Sequence, residues 1–198
     1  LNSVLRHEAH LGWLAGEPHQ FRLIDTLRGH LELLSPLHPR LSPAWLPDLL
    51  ANARRCAQRH RWDDAAARLY RAVEAAAQLR LVEKHQLDAG RIEAASLPEC
   101  LRGDALLTAD AAGGPSVVKW GLRQDYRALR LLDDPLGDRF AELFPVRKSP
   151  LDKRNQSPLA HGSEPVKQED YEQLWDLALR LVEVDEASLV QFPALPEL

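Results

Sequence analysis

The chain lacks several features that define common protein classes. It has no methionine, 6% aromatic residues and only two cysteines among 198 residues. Cys56 and Cys100 lie far apart and form neither a CxxC pair nor a Cys/His ligand spacing. We therefore expect reduced cysteines, no structural zinc site, and no other metal or cofactor. Long apolar runs and a signal peptide are also missing, so we predict a cytoplasmic protein without a membrane span.

Composition and length then limit the architecture. The chain is 45% hydrophobic and 27% charged, as is usual for a soluble globular domain. Its net charge of −4 creates no overall field that would attract nucleic acid, so any such contact has to be local. Because the sequence begins at Leu1 and has no methionine, we expect it to be a fragment of a longer protein.

Apolar residues recur with helical periodicity along most of the chain. Pro36, Pro39 and Pro43 interrupt this pattern and mark a linker. We predict an N-terminal helical annex or linker over residues 1–42 and a main helical domain over 43–198. The fold class is therefore all-α, a helical bundle. The predicted helices cover residues 3–14, 18–34, 44–59, 63–84, 117–132, 138–144 and 168–184.

One basic segment combines an arginine, an amide and a histidine. An arginine is followed by a histidine five to seven residues later at four places in the chain, so this spacing alone carries little information. Among these four pairs, only Arg154 is followed directly by an amide, Asn155, and only His161 is followed directly by a glycine. Arg147, Lys148 and Lys153 make the neighbourhood basic.

These residue types suit cleavage of RNA by its own 2′-hydroxyl group. Arginine binds phosphate oxygens through parallel hydrogen bonds, and histidine transfers protons near neutral pH. Pro158 is tolerated only in the first turn of a helix, so we expect a helix to begin near Ser157. Arg154 would then precede that helix, whose first N–H groups also favour phosphate.

Residues 154–162, together with the alanine-rich residues 63–80, resemble a CRISPR-associated family. Its members join a CARF domain, which senses cyclic oligoadenylate, to a C-terminal HEPN domain. The resemblance implies a HEPN-like helical bundle that forms a homodimer and cleaves single-stranded RNA without a metal ion. Arg154 would bind the scissile phosphate, His161 would transfer protons, and Asn155 would order the site. The RNA-binding residues would be Lys153, Arg147, Lys148 and Ser157. A CARF domain outside this chain would respond to cyclic oligoadenylate.

Two alternatives remain open at this point. Residues 62–72 also resemble one tetratricopeptide hairpin, which would make the chain a peptide-binding module, although no second copy follows at the expected period. The other alternative is a degenerate HEPN domain, which binds RNA or dimerises without cleaving RNA.

On the predicted helix over 117–132, Arg123, Arg127 and Arg130 could extend an RNA groove. We favour a solvated face on which they alternate with Asp125, Asp133 and Asp134.

Overall fold

The structure, a computed structural model, describes residues 41–108, 117–145, 149–158 and 162–189, together with Arg28 and Glu32. A compact unit spans Leu41–Val190. Apart from Arg28 and Glu32, which are helical, the helices predicted over 3–14 and 18–34 lie outside the described residues. The division of the chain at residue 42 stays a prediction.

Helices dominate the described residues, which confirms the all-α class. Ordered along the chain, they are α1 (Trp45–Ala57), α2 (Trp62–His85), α3 (Glu99–Arg102), α4 (Ala105–Thr108), α5 (Leu122–Leu131), α6 (Pro135–Leu143), α7 (Pro150–Asn155) and α8 (Gln168–Val182). Short 3₁₀ turns cover Ala94–Ser96 and Glu186–Ser188. The helices α1, α2 and α8 lie within two residues of the predicted ranges.

Helix α2 forms the centre of the unit, and α1, α5, α7 and α8 all pack against it. Six of its ten buried residues are alanines, so the neighbouring backbones can approach closely. An amphipathic surface helix buries only one stripe, whereas α2 is buried on several sides. Its buried residues are Ala65, Ala66, Leu69, Ala72, Val73, Ala75, Ala76, Ala77, Leu79 and Leu81.

A helix predicted from residue 117 starts later than expected. Val117 and Val118 instead form β2, which pairs in antiparallel fashion with β1 (Ile92–Glu93). Gly121 is extended and precedes α5. Its backbone N–H donates a 2.8 Å hydrogen bond to the Gln124 side-chain oxygen. The two valines favour the strand because β-branched residues fit its pleated geometry.

Helix α5 packs tightly between α2 and α6. The Tyr126 hydroxyl donates a 2.7 Å hydrogen bond to the Val73 carbonyl of α2, and its ring stacks on Phe140 at 3.8 Å. A Cβ at Gly137 would lie 2.5 Å from the Arg130 backbone nitrogen, so only glycine allows α6 to lie this close to α5. The arginines of the outer face each pair with an acid: Arg123 with Asp152, Arg127 with Asp104 and Arg130 with Asp138.

Two of the three aspartates assigned to that solvated face are in fact buried. Asp125 is 0% exposed and Asp134 is 5% exposed. Asp134 accepts hydrogen bonds from Arg80 and His85 and from the Leu136 backbone N–H, so it caps α6 and joins it to α2. Burial alone would raise the pKa of Asp134, but these hydrogen bonds outweigh it and the pKa is lowered.

Asp125 is buried without such partners. Neither carboxylate oxygen meets a hydrogen-bond donor with acceptable geometry, although the Gln78 side chain approaches it. Burial, and then the charge of Glu74, raise the pKa of Asp125 to about 7. Arg71 and Gln78 act in the opposite direction but do not cancel this effect. The carboxyl group therefore titrates near neutral pH inside the core.

The two buried aspartates should change the free energy of unfolding with pH in opposite directions, because folding raises the pKa of Asp125 and lowers that of Asp134. The pKa of Asp125 rises from 3.8 to about 7 on folding, so the folded chain binds this proton more tightly. The free energy of unfolding should therefore fall as the pH rises from about 4 to 7. We expect Asp125→Asn to remove this loss and to stabilise the protein by roughly 2–4 kcal/mol at pH 8, with little effect at pH 4.

Urea denaturation between pH 4 and pH 8 measures this difference, and Asp134→Asn is the matched control. That control should destabilise the protein at pH 8, because the carboxylate there accepts three hydrogen bonds. The assignment is wrong if stability declines equally between the two pH values in the unsubstituted chain and in Asp125→Asn.

Candidate active site

A short helix, α7, carries the central residues of the predicted site. Ser149 caps it by accepting a hydrogen bond from the Leu151 backbone N–H at 3.4 Å, and Pro150 occupies its first position. Leu151 is buried and fixes the helix on the core. Lys153, Arg154 and Asn155 therefore lie in the last turn of a helix.

The expectation that a helix begins near Ser157 is thus wrong. Two Ser-Pro pairs flank residues 151–156, and the first of them, Ser149-Pro150, starts the helix. Ser157 is fully buried and its hydroxyl has no hydrogen-bond partner, so it does not act as a cap. Arg154 consequently lies near a helix C-terminus, where cations are favoured, rather than in front of a helix N-terminus.

The Arg154 side chain reaches from α7 to α2. Its guanidinium carbon lies 4.3 Å from the centroid of the Tyr70 ring. Its Nη1 donates a 3.2 Å hydrogen bond to the Asn155 Oδ1 atom. Its Nε is buried and has no hydrogen-bond partner. The guanidinium is therefore held by an aromatic face and one neighbouring amide.

Arg154 differs from nearby arginines in having no acidic partner among the residues that the structure describes. Arg71 pairs with Glu74 at 2.8 Å, and Arg123 pairs with Asp152 at 2.9 Å. No carboxylate of the described residues lies within 4.0 Å of the Arg154 guanidinium. A half-buried cation without a counter-ion is costly, and its unused Nη donors suit an incoming phosphate.

Tyr70 provides the surface under Arg154. Burial, and then the charge of Glu74, raise the pKa of its hydroxyl above 10.0, while Arg154 and Arg123 lower it in part. Tyr70 is therefore a neutral phenol at physiological pH, and its ring presents the electron-rich face that attracts a cation.

Backbone hydrogen bonds join the described residues on either side of positions 159–161. The Gly162 N–H donates to the Ser157 carbonyl, and the Glu164 N–H donates to the Gln156 carbonyl, each at 3.1 Å. A Cβ at Gly162 would overlap the Gln156 carbonyl group, so glycine is required there. Val166 N–H then donates to the Asp63 carboxylate at 3.0 Å, which ties the chain after these residues to the start of α2.

Comparison with known proteins assigns this fold and segment to a family. Residues 38–185, about three-quarters of the chain, match the family model described as the Csm6 HEPN domain. The chain belongs to the Csm6 HEPN-domain family. No curated protein and no solved structure gives a significant match.

The match confirms the resemblance to a CRISPR-associated HEPN protein and the HEPN-like bundle. It assigns the α1–α2 hairpin to a HEPN domain, which leaves the tetratricopeptide interpretation without support. Within the described residues, this HEPN domain has no helix with the length and apolar character needed to cross a bilayer. The same residues contain no cluster of three or more His, Cys, Asp or Glu side chains placed to hold a metal ion.

The structure brings together some of the predicted site residues. Arg154 and Asn155 are in contact, and Lys153 is exposed beside them. Ser157 does not fit its predicted role, because a fully buried side chain cannot reach RNA in this conformation. His161, Arg147 and Lys148 lie outside the described residues, so their roles stay predictions.

Sequence reasoning missed Tyr70 as part of this HEPN site. The residue lies within the alanine-rich segment that carried the resemblance, but its spacing from Arg154 gave no signal. Only the packing of α7 on α2 brings the Tyr70 ring under the Arg154 guanidinium.

Gly162 offers a test of the close approach between its own backbone and the Gln156 carbonyl group. We expect Gly162→Ala to lower the free energy of unfolding by roughly 1–3 kcal/mol, because the added methyl group displaces the Gln156 backbone. Gly103→Ala is the matched control, since a Cβ there meets no atom within 4 Å. Chemical denaturation of both variants measures the difference, and equal midpoints would contradict this close approach.

Proposed function

We propose that this HEPN domain is a metal-independent endoribonuclease that cleaves single-stranded RNA in CRISPR antiviral defence. The observation that carries the proposal is the Arg154 guanidinium, half-buried on Tyr70 and without a carboxylate partner among the described residues. A cation kept in this way is suited to a phosphodiester, and membership of the Csm6 HEPN family supports RNA as its source.

The reaction is an internal transfer at phosphorus. The 2′-oxygen of the RNA attacks the adjacent phosphorus, and the bond to the 5′-oxygen of the next nucleotide breaks. The products are a 2′,3′-cyclic phosphate and a 5′-hydroxyl. Arg154 stabilises the negative charge that builds on the phosphorane oxygens, and His161 transfers the proton that the 2′-hydroxyl loses or the leaving oxygen gains.

The neighbouring residues have supporting roles. Asn155 fixes one Nη1 donor of Arg154 through its amide oxygen, which leaves the other Nη donors directed elsewhere. Lys153 is exposed on the same helical turn and can contact a flanking phosphate. Arg147 and Lys148 precede α7 and extend this basic approach along the chain.

The active unit in this proposal is a homodimer. Each subunit contributes its Arg154 and His161 to one composite cleft, so a single chain holds half of the site. Cyclic oligoadenylate regulates the cleft through a CARF domain that lies outside this sequence.

The first test is RNA cleavage in the presence of EDTA. The unsubstituted chain should convert a labelled single-stranded RNA to products that end in a 2′,3′-cyclic phosphate, and 2′-deoxy substitution at the cleavage site should block the reaction. We expect His161→Ala to abolish activity. We expect Arg154→Lys to lower kcat/KM by roughly 100-fold, because lysine cannot form the paired hydrogen bonds of a guanidinium.

Arg180→Lys is the matched control for that series. Arg180 is exposed and, within the described part of the chain, pairs with Asp176 on its own helix. The Arg180→Lys variant should therefore be as active as the unsubstituted chain. If His161→Ala or Arg154→Lys cleaves as fast as this control, the catalytic assignment fails. RNA binding without cleavage by the unsubstituted chain would indicate the degenerate, non-cleaving HEPN domain instead.

The second test addresses the composite site. Subunits of the unsubstituted chain are co-refolded with an increasing excess of His161→Ala subunits at constant total concentration. If both histidines are needed in one cleft, activity should fall with the square of the unsubstituted fraction. A linear fall would show that each subunit acts alone and would contradict the homodimeric site.

A further inference from the structure

Tyr70 and Arg154 form a contact between two elements that are far apart in sequence. Tyr70 lies on the central helix α2, and Arg154 lies on the last turn of α7. The guanidinium carbon is 4.3 Å from the ring centroid, well within the range of a cation–π interaction. The ring is half-buried, so its position is set by the packing of α2.

This contact orients the cation without using its hydrogen-bond donors. A carboxylate partner would fix the guanidinium equally well, but it would occupy the N–H groups that a phosphate needs. An aromatic ring instead attracts the face of the cation and leaves the N–H groups at its edge available. Among the described residues, Asn155 alone accepts a hydrogen bond from the Nη groups, through Nη1. The Nε is buried and makes no hydrogen bond, so the Nη groups are the donors left for a phosphate.

The ring, rather than the hydroxyl group, makes this contact. The Tyr70 hydroxyl forms no hydrogen bond with any of the described residues, whereas the buried Tyr126 hydroxyl donates to the Val73 carbonyl. The chain therefore contains one tyrosine whose hydroxyl joins helices and one whose ring supports a cation.

We propose that Tyr70 is the positioning residue of the site: its ring holds the Arg154 guanidinium in the orientation that receives the scissile phosphate. The role rests on the proposed function, because it assigns Arg154 to an RNA phosphate. Tyr70 itself does not touch the reacting atoms.

The test compares Tyr70→Phe and Tyr70→Leu. Tyr70→Phe keeps the aromatic face and should retain kcat/KM within about threefold. Tyr70→Leu fills a similar space without that face and should lower kcat/KM about tenfold, mainly through kcat. The Nε–H resonance of Arg154 should show the upfield ring-current shift in the unsubstituted chain and in Tyr70→Phe, but not in Tyr70→Leu.

Tyr171→Leu controls for lost stability alone. Tyr171 packs on Trp62 at 5.6 Å and on Trp175 at 6.0 Å in the core. Its replacement should lower the melting temperature while leaving kcat/KM of the folded protein unchanged. In the Arg154→Ala background, Tyr70→Leu should cause no further loss, because the group that it positions is absent.

Several results would overturn the role. Equal losses in Tyr70→Phe and Tyr70→Leu would assign the effect to the hydroxyl, and multiplicative losses in Tyr70→Leu/Arg154→Ala would show that the two residues act independently. If the unsubstituted chain cleaves no RNA, the proposed function fails, and binding of a non-cleavable 2′-O-methyl RNA then decides the matter. Weaker binding by Tyr70→Leu but not by Tyr70→Phe supports the positioning role, and unchanged binding rejects it.

Discussion

The burial of helix α2 is the constraint on which the described unit depends. The alanines among its buried residues let α1, α5 and α8 approach closely. Such packing has little room for a change in volume, because the surrounding backbones rather than flexible side chains define the space. The Tyr126 hydroxyl adds a directional link by donating to the Val73 carbonyl of α2.

The same helix fixes the candidate active site. The Asp63 side chain, at the start of α2, accepts a hydrogen bond from the Val166 N–H. This contact anchors the chain that follows residues 159–161. Two turns later, Tyr70 lies under Arg154. Because both contacts arise from one rigid helix, the geometry of the site follows from the packing of the core. A site supported in this way keeps its side chains in place without a ligand.

Asp125 is buried and Arg154 is half-buried, and neither forms an ion pair with another described residue. The two groups respond differently to this burial. A carboxyl group can avoid the cost of burial by holding its proton, which is why the pKa of Asp125 lies near 7. A guanidinium stays charged at any physiological pH. Arg154 therefore depends on the Tyr70 ring in the free protein and suits an anion from outside. The first group makes the core sensitive to pH, and the second is the one that we propose binds phosphate.

The sequence by itself determined the long helices and the basic segment. The apolar periodicity of α2 and α8 depends on local spacing, which a chain reveals directly. The sequence could not decide whether Ser149-Pro150 or Ser157-Pro158 starts a helix. That choice depends on the burial of Leu151 and of Ser157 in the core. The sequence could not place Asp125 in the interior or Tyr70 under Arg154 either. Only the tertiary structure decided these points, because each one arises from contacts between helices that are distant in sequence.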